Sequence, residues 1–299
     1  MTGGGVSFLV PVYNKVPWLP RVLAAIRNQR GDFPRQYVFV DDGSTDGSLE
    51  LVREMTAGWD NVIIHAQENH GSAHATNQCI ALATLPLIKF VDADDLIARD
   101  ATVALRAALA AQPDACIAWG DVERYPPESV PDLEQPIIAP RLSRLEQPII
   151  PTLRNSMFNP TQFMTRTEAV RAVGGCDERI VHSQEYSLTL RLATRGPFVH
   201  VEAPMAFLPR HVPGSLGTNV PRQLQRVTRT CANFLRDYPH LPASVRHYAC
   251  RRCAGRAWRF ARRNGFGGLD SPWFRLYLRG LLPGTRDAEF IDACARVFD

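Results

Sequence analysis

Residues 87–95 read Leu-Ile-Lys-Phe-Val-Asp-Ala-Asp-Asp, a mostly apolar run that ends on three carboxylates within four positions. A run of this kind predicts a short buried strand from Leu87 to Val91. Carboxylates packed this closely repel one another, and no core absorbs them unpaired. A divalent cation relieves the repulsion most simply. Hard oxygen donors suit Mg²⁺ or Mn²⁺, and such ions usually hold substrate phosphates as well. Alone, the cluster fits equally well a solvated acidic turn capping the helix that starts near Arg99. The surrounding segments decide between the two.

Upstream, apolar runs at Val6–Val12, Tyr37–Val40 and Val62–Ile64 predict strands. Helical spacing covers Pro17–Gln29, Ser48–Met55 and Ala73–Ala83, with Ser44 or Asp46 available to cap the second helix. Downstream come a helix at Ala101–Ala111 and a strand at Cys116–Trp119. Strands alternating with helices imply βαβ units and an α/β fold with a mostly parallel sheet. From Pro126 to Pro151 the alternation stops, and Leu-Glu-Gln-Pro-Ile-Ile occurs twice, at 133–138 and 145–150. Two copies do not make a solenoid, so the segment is expected to be an insertion: a lid, an interface or a tolerated duplication. The α/β pattern resumes with helices at Glu168–Val173, closed by Gly174-Gly175, and Gln184–Ala193, then a strand at Val199–Pro209. After Pro221 it gives way to helices at 221–238 and 243–264 and an aromatic tail at 272–282. The expected organisation is an α/β domain over 1–220 and a basic helical region over 221–299.

The chain has 299 residues, 45% hydrophobic and 21% charged, as in ordinary globular proteins. No apolar run approaches the ~20 residues that span a bilayer. Met1–Gly5 lacks the basic start of a signal peptide, and the seven cysteines follow no framework spacing. Both features predict a cytoplasmic protein. The net charge of +4 is uneven: residues 221–299 hold 15 arginines and 6 acidic residues, a balance of +9, which leaves −5 on the rest. Lys15 and Lys89 are the only lysines, a bias that fits genomic base composition.

In open α/β sheets ligands bind outside the carboxyl ends of the strands. The first strand ends in Val10-Pro11-Val12-Tyr13-Asn14, with neither a dinucleotide fingerprint nor a P-loop. The second ends in Asp41-Asp42-Gly43-Ser44-Thr45-Asp46. An aromatic ring beside a carboxylate suits a nucleobase, which stacks on the one and donates its imide N–H to the other.

At these residues the chain resembles the family 2 glycosyltransferases, inverting enzymes with the Rossmann-like GT-A fold. Five segments carry the resemblance in the family's order across about 5–215: the two strand ends above, Asn69-His70-Gly71-Ser72-Ala73-His74-Ala75-Thr76-Asn77, the Asp-X-Asp element Asp92-Ala93-Asp94, and Gly174-Gly175-Cys176-Asp177-Glu178. The resemblance implies that Pro11, Val12, Tyr13, Asn14, Asp42, Asn69, Gly71, Asn77, Asp92 and Ala93 bind the nucleotide sugar. In particular, Pro11 and Tyr13 bracket the base, Asp42 holds its imide edge and Asp92 faces the ribose. Asp94 or Asp95, with His211, then holds Mn²⁺ or Mg²⁺ on the diphosphate, and Gly175, Cys176 and Asp177 line the acceptor side. Glu185, in Gln184-Glu185-Tyr186, stands where the family has its aspartate base, one methylene longer. Thr76 replaces a usual arginine, for which Lys89 and Arg210 are substitutes. The implied activity is metal-dependent, hexosyltransferase-type transfer of a sugar with inversion, in cell-surface polysaccharide or lipopolysaccharide synthesis, onto a glycan or lipid-linked glycan.

Three other readings stand beside this one. A non-catalytic relative binding nucleotide or glycan fits the departures at Thr76 and Glu185. A nucleotidyltransferase lacks the glycine-rich, basic triphosphate loop it needs after the first strand. His247, Cys250 and Cys253 offer a zinc half-site without its other half. Aromatics among the C-terminal arginines match no nucleic-acid-binding fold, so no nucleic-acid partner is expected. A peripheral contact with the inner membrane face is expected instead, through Arg251, Arg252, Arg256, Arg259, Arg262 and Arg263 beside Trp258 and Phe260. The same arginines would equally serve to hold the segment against the acidic body.

Overall fold

A computed structural model of the chain describes residues 4–181, 184–210 and 219–299. Four strands, β1 (Val6–Val12), β2 (Arg35–Asp42), β3 (Val62–Gln67) and β4 (Leu87–Phe90), lie parallel in the order β3-β2-β1-β4. β1 is apolar on both faces because both are covered. Val6, Phe8, Val10 and Val12 pack beneath α1 (Leu19–Arg27), α2 (Ser48–Thr56) and α4 (Ala101–Ala111). Leu9 packs on the other side with α3 (Ser72–Leu82), α6 (Thr167–Ala172) and α7 (Gln184–Leu192).

The sheet continues past β4 as β8 (Phe163–Arg166), β6 (Ile117–Tyr125), β9 (Phe198–Pro209) and β5 (Leu96–Ile97), with β7 (Leu142–Leu145) also on β9. β8 runs antiparallel to both neighbours, so β6 points the same way as β4. The sequence reading contains neither β5, β7 nor β8.

The duplicated hexapeptide takes two conformations. Residues 133–138 run irregularly over the first face, where the Leu133 carbonyl accepts from Arg99 N at 2.9 Å. Residues 145–150 close β7 and open α5 (Ile149–Arg154). Tertiary surroundings, not the local sequence, choose between them.

Four helices follow: α8 (Val220–Asp237), α9 (Ala243–Arg263), α10 (Pro272–Gly280) and α11 (Ala288–Ala295). Their core is shared with the body, since Leu153 of α5 and Tyr186 and Leu190 of α7 pack with Cys231, Phe234, Ala249, Cys253 and Ile291. α9 lies at the centre of this cluster. Arg256 is buried against the Thr228 hydroxyl, Arg252 donates to the Arg154 carbonyl at 2.8 Å, and the Trp258 ring stacks on Tyr277 at 4.5 Å. Of the arginines expected at a membrane, Arg252 and Arg256 thus make internal contacts, while Arg251, Arg259, Arg262 and Arg263 are exposed.

Candidate active site

Parallel pairing brings the carboxyl ends of β1, β2 and β4 to one edge, with Val12 opposite Asp41 and Leu9 opposite Phe90. The loops after β1 and β2 brace each other. Asn14 sits in the left-handed region at φ 52, where a short polar side chain is tolerated. Its N–H donates to Ser44 Oγ at 3.0 Å, and its Oδ1 accepts from Thr45 N at 2.8 Å. Lys15 N donates to Ser48 Oγ at 2.7 Å, and Val16 N to Asp46 Oδ2 at 3.1 Å. Tyr13 is left 47% exposed on this rigid rim.

The two aspartates ending β2 point to opposite faces. Asp42, expected at the base's imide edge, also pins the β3–α3 loop. Its oxygens accept from Gln67 Nε2 at 2.8 Å, His70 N at 2.9 Å and Gly71 N at 2.9 Å, so three of about four lone-pair positions are taken. Asp41, absent from the sequence-derived site, accepts from Ser44 N through Oδ2 and keeps Oδ1 buried without a partner.

The acidic cluster after β4 divides its work. Thr161, on a single 3₁₀ turn (Pro160–Gln162), joins two of its members: its Oγ1 accepts from Asp92 N at 3.0 Å and donates to Asp95 Oδ2 at 2.7 Å. Asp95 is 5% exposed and turned inward, whereas Asp94 is ion-paired with Lys15. Burial and the carboxylates of Asp94 and Glu185 push Asp92 above the ordinary range. Burial, Asp92 and Asp94 push Asp95 up as well. Lys89, expected as a counterion to phosphate, lies fully buried beneath the cluster and donates to the Phe90 and Thr161 carbonyls. Burial pulls it down to about 7 against the pull of Asp95 and Asp92. Arg210 ends β9 in the open, and its N–H donates to the Tyr125 carbonyl. Among the described residues, the cation paired with the acidic edge is Lys15, which the sequence reading passed over. No three His, Cys, Asp or Glu side chains converge as a metal site among the described residues. His211 lies outside them.

Opposite stands the turn Gly174–Glu178. Asn77, expected at the donor, grips this turn: Oδ1 accepts from Cys176 N at 2.8 Å, and Nδ2 donates to Cys176 O at 3.1 Å and Glu178 Oε1 at 2.6 Å. Gly175 permits the grip, because a Cβ there would stand 2.4 Å from Asn77 Oδ1. Asp177 is likewise spent, accepting from Arg179 Nε at 2.6 Å and from Asn233 Nδ2 of α8 at 2.8 Å. Burial raises Asp177 and Glu178, but hydrogen bonds from Arg179 and Asn233, and from Asn77 and His74, hold both below their usual values.

Glu185 opens α7, whose start is tied to α3 by Ser72 Oγ donating to Gln184 Oε1 at 2.9 Å. Burial raises Glu185, and hydrogen bonds from its own and the Tyr186 N–H only partly offset this. Glu185 and Asp92 line one small cavity together with Pro11, Thr76, Phe163 and Cys176. Asn69 is exposed, and Val12 and Ala93 are buried beneath the edge. The zinc half-site does not assemble: His247 Nδ1 faces the Thr285 carbonyl, Cys250 the Asp287 carbonyl, and Cys253 lies in the helical core.

Solved structures share this architecture. TarS 1–349 of Staphylococcus aureus, crystallised with UDP-GlcNAc, superposes with a TM-score of 0.69 at 18% identity, over 93% of this chain and 79% of that one. The mannosyltransferase PcManGT of Pyrobaculum calidifontis, in complex with GDP-Man and Mn²⁺, gives 0.57 at 21% identity, over 98% and 85%. The fold is GT-A. The profile of glycosyl transferase family 2 matches residues 7–174, and the chain belongs to that family. A Staphylococcus aureus poly-beta-1,6-N-acetyl-D-glucosamine synthase is 29% identical over 97 residues, which are 32% of this chain and 23% of that protein. The uncharacterized glycosyltransferase YfnE of Bacillus subtilis is 30% identical over 94 residues, 31% of this chain and 24% of that protein. The matches thus span about a quarter of the curated relatives' length.

Proposed function

We propose that the protein transfers a sugar from a nucleoside diphosphate sugar to an acceptor hydroxyl with inversion, in the synthesis of a cell-surface polysaccharide or lipid-linked glycan. One observation carries this reading: Glu185 and Asp92 line the same cavity, together with Pro11 at the end of β1 and Cys176 of the Gly174–Glu178 turn. The base packs by Tyr13 and Pro11, and its imide N–H finds an acceptor in Asp41 or in the remaining lone pair of Asp42. Glu185 takes the proton from the acceptor hydroxyl as the glycosidic oxygen forms. Burial raises its basicity and suits it to that role. No second carboxylate nucleophile is needed, because the acceptor attacks opposite the departing diphosphate.

A divalent ion fits the site. Asp92 and Asp94 are neighbouring hard-oxygen donors, and burial together with the Asp94 carboxylate raises Asp92. Those two would hold Mg²⁺ or Mn²⁺, which when bound supplies Lewis-acid stabilisation of the leaving diphosphate. Lys15 adds a fixed positive charge on the same edge.

The neighbours bound to UDP-GlcNAc and GDP-Man supply the first probes. The protein is incubated with a panel of uridine and guanosine diphosphate sugars, with and without glycan acceptors, and nucleoside diphosphate release is followed. Acceptor-dependent release with an inverted anomeric product by NMR is expected. Tight donor binding without any turnover across the panel would instead support a non-catalytic binding protein.

A further inference from the structure

We propose that α10 and the loops flanking it form a docking surface for an anionic lipid bilayer. Twelve large apolar side chains are exposed among the described residues, and five of them, Phe266, Leu269, Leu278, Leu281 and Leu282, fall between 266 and 282. Scattered surface leucines are ordinary, but a concentration of this kind marks an interaction surface. Leu269 is 74% exposed and Leu282 59%. α10 holds α9 through Tyr277, stacked on Trp258 at 4.5 Å, and Phe274, tilted against the same ring at 5.0 Å. Leu278 stands in the last turn of α10, and Leu281 and Leu282 follow directly after its end, all three exposed.

Arginines surround this patch. Arg262, Arg263, Arg275, Arg279 and Arg286 are all exposed, and Asp270 is the single acid between 262 and 286. Among the described residues none of the five is in an ion pair, whereas Arg229 and Arg236 pair with Asp299 and Asp292. The acidic body therefore does not neutralise them. Arg262 lies over the Trp258 ring at 5.2 Å and Arg279 over Phe290 at 5.4 Å, which holds both guanidinium groups at the surface. Leucines for the acyl boundary and unpaired arginines for phosphate headgroups complement an anionic membrane. No helix among the described residues is long and apolar enough to cross one, so the contact is peripheral.

The test uses the full chain, co-sedimented with vesicles of phosphatidylcholine alone and with vesicles containing phosphatidylglycerol. Binding to the second alone, weakening with salt, is expected. Leu278→Asp with Leu282→Asp should abolish it. Arg262→Ala and Arg263→Ala should each weaken it about fivefold, with Arg53→Ala on α2 as the unaffected control. Circular dichroism melts should not move, since these side chains are exposed. Three outcomes would overturn the proposal: no binding at low salt, binding indifferent to the leucine pair, or light scattering showing a dimer that the leucine pair dissociates.

Discussion

The two sides of the cavity spend their polar residues in opposite ways. On the side proposed for the donor, backbone amides and small hydroxyls brace the loops, so Tyr13, Asp92 and Asp94 remain at the edge. On the side proposed for the acceptor, Asn77, Asp177 and Glu178 are consumed in bracing, and Glu185 is the carboxylate that lines the cavity. A family motif can therefore mark a working surface in one place and its scaffolding in another.

The strongest challenge to this contrast is Glu185→Gln. If Glu185 alone works on the acceptor side, transfer should fall at least about a hundredfold while donor affinity by calorimetry stays unchanged. Retention of a tenth of the wild-type rate would return the base to another residue.

Asn77→Ala tests the scaffolding. It strips partners from the Cys176 N–H and carbonyl, at about 1–3 kcal/mol for each buried group left unpaired. Chemical denaturation should show that loss, with nucleotide affinity nearly intact. A variant of normal stability with lost nucleotide affinity would place Asn77 at the donor after all.

Lys15→Met sharpens the donor side. Freed from Lys15, Asp94 should bind Mn²⁺ more tightly, while metal-free nucleoside diphosphate should bind more weakly. Each change should be roughly three- to tenfold, the scale of a partly exposed pair. Changes of the same sign in both titrations would remove Lys15 from this role.

The smallest effect is on pH dependence. Glu185 is raised, so the folded protein keeps a proton that the unfolded chain has released, and this contribution to stability is lost as pH rises above the ordinary glutamate range. Asp177 is depressed, so its contribution is present above the ordinary aspartate value and lost as pH falls through the folded one. Denaturation across pH should show Glu185→Gln flattening the first slope and Asp177→Asn the second. A wild-type profile in either variant would contradict its assignment.

Much of this was legible in the chain. β1 and α4 fall where apolar periodicity places them, because both are continuous and bury whole faces. β8 was not, since four residues between a 3₁₀ turn and a helix carry no period. β5 has two residues, and β7 and α5 lie in proline-rich sequence. The edge carboxylates were visible as strand-end loops. The bracing was not, because Asn77 and Cys176 are 99 residues apart and a hydrogen bond at that separation leaves no pattern. Lys15 did leave a trace: it is one of two lysines in an arginine-rich chain, directly after Tyr13-Asn14.

The Asn233–Asp177 bond, with Arg179 and Arg191 converging on Asp237, fastens α8 to the Gly174–Glu178 turn. For anyone recombining family members, this sets where chimaeras can be cut. A graft joined at residue 220 would inherit a Gly174–Glu178 turn whose anchors belong to the other parent. Asp177, Arg179, Arg191, Asn233 and Asp237 must travel together, and the C-terminal helices are then no interchangeable cassette.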